Sequence, residues 1–384
     1  MYSQATRPTA RTVRSLCVFT ILITGLITGA ILYAGPLNPP AGPVASTHKT
    51  LTEVEPRTPL SQAQVPITIS QPGSYYLTGN LFAPVLITAI ITVNAPGVTL
   101  DLNGFQLDGA TDVGEATYCI RLNAVAEGCA IRNGTVMEAT TTGISSLAAG
   151  CSFTNVRATR NAAAGLSAGN GALVEGCTAS NNGTVGISAG SASVVRGCTA
   201  ADNGSNGISA TGTVDGCTGT GNGQSGFSGA GIFTRCVANS NSLHGFSVTG
   251  GLISECRASL NTQSGISAIN QAFVTRCTCD SNGGSGITVS LRCTALENNC
   301  SMNTASGIAS TVLGAGWSRI EGNTLAFNNI GISASNTRNI IIRNMATLNG
   351  GGNYSIVAGN SVGQILDVTG LDITTTNPYR NLEY

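Results

Sequence analysis

The chain has 384 residues, of which 42% are hydrophobic and 9% charged; Lys+Arg and Asp+Glu both number 18, and Gly fills 50 positions. So little charge, balanced in sign, excludes intrinsic disorder, which goes with high net charge and low hydrophobicity. It also excludes electrostatic nucleic-acid binding, for which no basic excess exists, and a charge-laced coiled coil.

The N-terminus stands apart. Arg7, Arg11 and Arg14 precede residues 16–34 (LCVFTILITGLITGAILYA), which carry no charge. A basic start followed by an apolar run reads as an export segment. Its 19 residues are long for a signal core and close to the roughly 20 that span a bilayer. Residues 1–34 thus fit either a signal cleaved after Ala30 or Ala34 or a retained N-terminal membrane-anchor helix. Residues 16–34 are the only membrane contact expected, and both readings export the body. Residues 35–66 hold seven of the twelve prolines and read as an extended Pro-rich linker.

A period of about 21 residues organises the rest of the chain. A Gly-apolar-Ser/Thr/Ala triplet recurs at Gly143, Gly165, Gly186, Gly207, Gly226, Gly245, Gly265, Gly286, Gly307 and Gly331. Nine residues before the glycines runs a column of Cys177, Cys198, Cys217, Cys236, Cys256, Cys277 and then Asn298. Four before them runs a column of asparagines, from Asn161 and Asn182 to Asn282 and Asn303. The Cys-to-Gly half has constant length, and length changes fall in the Gly-to-Cys half. Helical repeats need longer periods and apolar i, i+3, i+4 stripes, which are absent. Twenty-one residues suffice for three short strands and three bends, one turn of a parallel β-coil. Turns stack about 4.8 Å apart, so columns in sequence become ladders in space. Stacked Ile and Phe fill the bore, and stacked Asn bonds from turn to turn at a bend whose left-handed conformation it tolerates.

Repeats such as GISAGSASVVRGCTAADNGSN (186–206) resemble the right-handed parallel β-helix repeat of pectate-lyase-like proteins, with residues 91–109 and 340–352 similar to the first and last turns of secreted bacterial examples. The resemblance covers roughly residues 67–373. It implies an all-β, single right-handed parallel β-helix (solenoid). The expected coil has about 13 turns and is roughly 60 Å long. Residues 67–90 are expected to form its N-terminal cap, 143–331 its most regular turns, and 374–384 a C-terminal tail. The resemblance says little about activity, because the superfamily holds lyases, hydrolases, epimerases, adhesins and proteins with no assigned activity.

Twelve cysteines lie beyond residue 34. An even number in an exported chain invites disulfides. Stacking in parallel, however, holds Cβ atoms about 4.8 Å apart, beyond the 3.5–4.5 Å a disulfide prefers. The six in the column are therefore expected as buried free thiols. Cys279 and Cys300 share a second column. Cys119, Cys129, Cys151 and Cys293 fit none, and any disulfide is expected among these last six. No second Cys pair or nearby His completes a zinc set.

Beside the cysteine column the charges alternate: Glu175, Arg196, Asp215, Arg235, Glu255, Arg276, Glu297. Opposite charges one turn apart attract, so a register-setting ladder is the expectation. The same ladder supplies one catalytic candidate. The resemblance implies, for a hydrolase, clustered Asp residues on the coil's outer groove, and for a lyase a calcium-binding acidic cluster with an Arg base. Asp215 and Glu255 stand about 9.6 Å apart by turn spacing, against the 6.5–9.5 Å of an inverting acid–base pair. Arg235 between them would hold both ionised, which is wrong for a general acid. No catalytic motif of the family falls at these positions. Asp101, Asp108, Asp112 and Glu115 are the candidate calcium ligands, although they lack the order of a calcium loop and read first as a solvated stretch. Trp317 is expected to pack under the longest repeat, His244 to be solvated, and the Ser column to be a strand-surface feature, since no His partner completes a triad.

The sequence thus predicts an exported cell-envelope or extracellular β-helix protein, non-catalytic and without a cofactor, that presents a rigid face to polysaccharide or another envelope component. A polysaccharide lyase, with calcium, or a glycoside hydrolase is the alternative. A trimeric, phage-tail-like depolymerase or adhesin is the third reading, against which the export segment argues.

Overall fold

The structure is a computed structural model and describes residues 57–111, 114–311, 316–369 and 376–384. The export segment, the membrane-anchor helix and most of the linker lie outside the described residues. Among the described residues no helix is long and apolar enough to cross a membrane.

Among the described residues the chain winds into a parallel β-coil of fourteen turns, counted by the strands that pair one per turn along its first sheet. A representative turn consists of Ile187–Ala189, Val194–Arg196 and Thr199–Ala201. The first strand pairs in register with Ile208–Ala210 of the next turn. The second pairs with Thr213–Asp215 and the third with Thr218–Thr220. Short strands suffice because each residue is fixed twice, by the turn below and the turn above.

Side-chain alternation makes the core. Ile187, Val195 and Ala200 point inward on the three strands and are fully buried, while Ser188 between its neighbours faces out. Large residues on the first strand are matched by small ones on the third. Where Phe227 and Phe246 replace Ile on successive turns, their rings stack at 4.8 Å and Phe233 meets both edge-on. Gly219 then replaces the usual inward Ala. The glycine heading each repeat is required by close approach. A Cβ on Gly186 would lie 2.7 Å from both the Gly207 carbonyl oxygen and Asn203 Nδ2.

Each of the three corners carries a ladder. At the corner leading back to the first strand, Asn203 Oδ1 accepts from the Asn182 backbone amide and from Asn182 Nδ2. Its own Nδ2 donates to the Ala179 carbonyl and to Asn222 Oδ1. Every polar atom of this buried amide is thus paired, as a buried polar group must be. Between second and third strands lies the cysteine column. Cys198 Sγ accepts from the Cys177 amide at 3.4 Å and donates to the Arg196 carbonyl. The column continues as Asn298, Asn323, Asn344 and Asn381, linked amide to amide.

The remaining corner holds a column that the spacing from the glycines does not reveal. Cys129, Cys151 and Cys293, expected to fit no column, stack here with Ala172, Ser193 and Ser318. Ser193 Oγ accepts from the Ala172 amide, Ser318 Oγ from the Cys293 amide, and Asn339 Oδ1 from the Ser318 amide. All twelve described cysteines are buried and free. Burial pushes the Cys119 thiol up to about 12 and raises Cys129 and Cys293 likewise.

Two boundaries differ from expectation. Residues 57–66, read as the end of the linker, are already in the coil: Thr58–Leu60 pairs in parallel with Tyr75–Leu77. The C-terminal residues 381–384, read as tail, close it. Asn381–Glu383 pairs with both Ile365–Asp367 and Met345–Ala346, and the Tyr354 hydroxyl donates to the Leu382 carbonyl.

Candidate functional site

The alternating charges resolve into three discrete pairs. Arg196 bonds Glu175 at 2.8 Å, Arg235 bonds Asp215 at 2.6 Å, and Arg276 bonds Glu255 at 3.1 Å. The sideways shift of the ladder has a backbone cause. Glu175, Arg196 and Asp215 end second strands and are followed by Gly176, Gly197 and Gly216 in the left-handed region. From Arg235 onward the charged residue itself occupies that left-handed position, as do Glu255, Arg276 and Glu297.

The catalytic candidates are held apart by this pairing. The Thr234 hydroxyl donates to Asp215 Oδ1 at 2.8 Å. That bond, with the Arg235 guanidinium, holds the Asp215 carboxyl below its ordinary range. Glu255 is engaged by the guanidinium of the following turn, so Asp215 and Glu255 face separate cations.

The acidic N-terminal stretch is also dispersed. Asp101 closes a second strand, where Arg132 reaches it at 3.1 Å and Arg57 at 3.5 Å. Burial alone would raise its pKa, but the Asn103 amide, the Asn133 side chain and Arg132 bring it below the ordinary value. Asp108 closes a third strand; burial raises its pKa, with the Glu138 charge adding and the Ala110 amide opposing. Glu115 is exposed on a first-sheet strand, and Asp112 lies outside the described residues. Among the described residues no group of three or more His, Cys, Asp or Glu is placed to hold a metal ion.

His244 is half-buried. Its Nδ1 has no hydrogen-bond partner among the described residues, and burial, partly offset by the Ser264 backbone, lowers its pKa. Trp317 departs from expectation. Instead of packing under the long repeat, it stands 54% exposed at the corner before the second strand, with the Arg338 guanidinium 4.9 Å from its ring centre. Glu321, close to it in sequence, is held by Arg319 and Arg343.

A concavity of about 540 Å³ lies on the outer face of the third strands. Thr218, Thr220, Asn239, Arg257, Ser259 and Asp280 supply its polar lining, with Val237 and Leu260 as apolar elements. Arg257 Nη2 lies 3.3 Å from Asp280 Oδ1, but off the line of a hydrogen bond, so that buried oxygen has no hydrogen-bond partner among the described residues. Ser259 donates to Asn239 Oδ1 at 3.1 Å. A sequence signal for this face exists. The residues after the column cysteines run Thr178, Thr199, Thr218, Val237, Arg257 and Thr278, so Val237 and Arg257 interrupt a threonine column.

Residues 103–231 match the family described as right handed beta helix region. The A-module of the Azotobacter vinelandii mannuronan C-5 epimerase AlgE6 superposes with a TM-score of 0.51 at 15% identity, covering 81% of this chain and 89% of that one. The A-module of AlgE4 from the same organism superposes at 0.50 and 12% identity, covering 79% and 88%. No curated protein matches the chain. The fold is a right-handed parallel β-helix.

Proposed function

We propose that this chain is an exported, non-catalytic β-helix protein that holds a polysaccharide along its outer face. The observation that carries the reading is the disposition of the acids. Asp101, Asp215 and Glu321 are each bound to arginine, which favours the ionised form and leaves none of these three poised as a general acid; Glu255 is paired with Arg276. The groove around Arg257 and Asp280 supplies what a sugar chain needs, hydroxyl, amide and charged groups over several turns, beside apolar Val237 and Leu260. The epimerase modules bearing this fold act on mannuronan, a uronic-acid polymer, which supports a polysaccharide as the partner class. Export rests on the basic start and apolar run of residues 1–34.

Affinity electrophoresis tests this directly. The protein is run in native gels containing mannuronan, polygalacturonate or a neutral glucan, with and without calcium. Retardation by at least one polymer, weakened by Arg257→Gln, is expected. Unchanged mobility in every polymer removes the reading.

A further inference from the structure

At one corner of the coil, arginine and tryptophan alternate on consecutive turns. Strand register aligns Thr294 with Arg319 and Arg319 with Ile340. Two residues earlier, the same register places Arg292, Trp317 and Arg338 in one column. All three are exposed. The Trp317 backbone is left-handed, as are those of Arg292 and Arg338, so the corner turns these three side chains out of the sheet.

Nine of the described arginines have an acidic partner; Arg121, Arg157, Arg292, Arg338 and Arg380 do not. Arg292 and Arg338 have none among the described residues, and neither guanidinium makes a hydrogen bond there. Arg338 instead lies over the Trp317 ring. Beside them is a concavity of about 320 Å³ lined by Asn270, Gln271, Leu291, Arg292 and Trp317.

An exposed aromatic face offers a platform for the apolar face of a pyranose ring. Two unpaired guanidiniums on either side, separated by about 9.6 Å of coil axis, offer forked donors matched to a carboxylate. Asn270 and Gln271 add amides for hydroxyl groups. We propose that Arg292, Trp317 and Arg338 form a subsite for a carboxylate-bearing sugar unit, which makes a uronic-acid polymer the ligand class of this protein. The proposal rests on the polysaccharide-binding reading above. It adds a second contact region, on a different edge of the coil from the Arg257 groove, and a requirement for acid groups.

Trp317 is the chain's only tryptophan, so its fluorescence reports this corner alone. The intact protein is titrated with oligomannuronate, oligogalacturonate and a neutral cello-oligosaccharide of equal length, at fixed ionic strength. The expected result is a saturable emission change with a uronate and none with the neutral sugar. Arg292→Gln and Arg338→Gln, which retain the reporter, are each expected to weaken the response about tenfold, the size of one charge-assisted contact discounted for exposure. Equal responses to neutral and acidic sugars, or unaltered affinity in both variants, overturn the proposal. If gel retardation by polysaccharide persists while Trp317 emission stays unmoved, the subsite fails and the polysaccharide reading stands. If retardation also disappears, both fail.

Discussion

The Cys277 backbone amide donates to Asn298 Oδ1 at 2.9 Å, whereas the amides of Cys177, Cys198 and Cys236 in the same column donate to sulfur at 3.3–3.4 Å. One corner is therefore built with two chemistries that meet between adjacent turns. Sulfur is a weak acceptor, but it satisfies the buried amide with little polar surface of its own. The amide ladder bonds more strongly and also links side chain to side chain.

That relationship predicts asymmetric substitutions. Cys198→Ala leaves the buried Cys177 amide without an acceptor and is expected to cost about 1–3 kcal/mol. Cys277→Asn extends the amide ladder by one turn toward Asn298 and is expected to be far milder. Thermal unfolding of the two variants against the parent checks the order; equal losses would contradict it.

The thiols are predicted to be inert. All twelve described cysteines are buried, and Cys119 has its pKa pushed to about 12 by burial. A thiol titration at pH 8 should find none of the twelve reactive in the native protein and all of them reactive in guanidinium. Rapid modification of any of the twelve in the native state would show that the coil opens there.

The asparagine ladder predicts a pH-dependent defect. Asn222 Oδ1 accepts from the Asn203 amide and from Asn203 Nδ2, and Asn222 Nδ2 donates to the Ala200 carbonyl and to Asn241 Oδ1. Asn222→Ala should lose about 2–4 kcal/mol, because it strands buried donors. Asn222→Asp keeps the acceptor but turns a carboxylate toward two oxygens, which raises its folded pKa above the unfolded value. Its deficit is therefore smallest at low pH and grows as pH rises through that window. Denaturant midpoints of both variants from pH 4 to 8 test the sign. A deficit independent of pH would contradict it.

Glu321 predicts the opposite slope. Its hydrogen bond from Arg319, with Arg343 adding, holds its pKa below the ordinary 4.5. A depressed acid stabilises the fold above its unfolded pKa and loses that contribution as pH falls through the lower folded value. Glu321→Gln should therefore flatten the acid limb of the stability profile below about pH 4.5 relative to the parent. An unchanged acid limb would assign no role to this triad.

The coil is legible in the sequence because contacts between turns recur at fixed spacing, so Gly186, Cys198 and Asn203 announce three ladders. The column of Cys129, Cys151 and Cys293 is hidden when positions are counted forward from the glycines, across the segment whose length varies. Counted back from the cysteine column it lies a constant five residues away, at Ser193 before Cys198 and at Cys293 before Asn298. The charge alternation is legible, but its division into pairs is not. That depends on which way each long guanidinium turns, and Arg235 turns back to Asp215 while leaving Glu255 to Arg276. The exposure of Trp317 is hidden for a related reason. An insertion in the repeat suggests cover, whereas the left-handed backbone at Trp317 carries the ring outward. The Arg257–Asp280 groove arises from strand faces whose residues lie about 20 apart in sequence, and only the turn register brings them together.

The most direct test of the account is turnover. The intact protein is incubated with mannuronan and polygalacturonate in deuterium oxide, with and without calcium, while new reducing ends, unsaturated products and deuterium incorporation at C-5 are followed. The account predicts retention of the polymer with none of these changes. Any of them appearing, and disappearing in Asp215→Asn or Glu255→Gln, would contradict it and make the paired acids a catalytic centre.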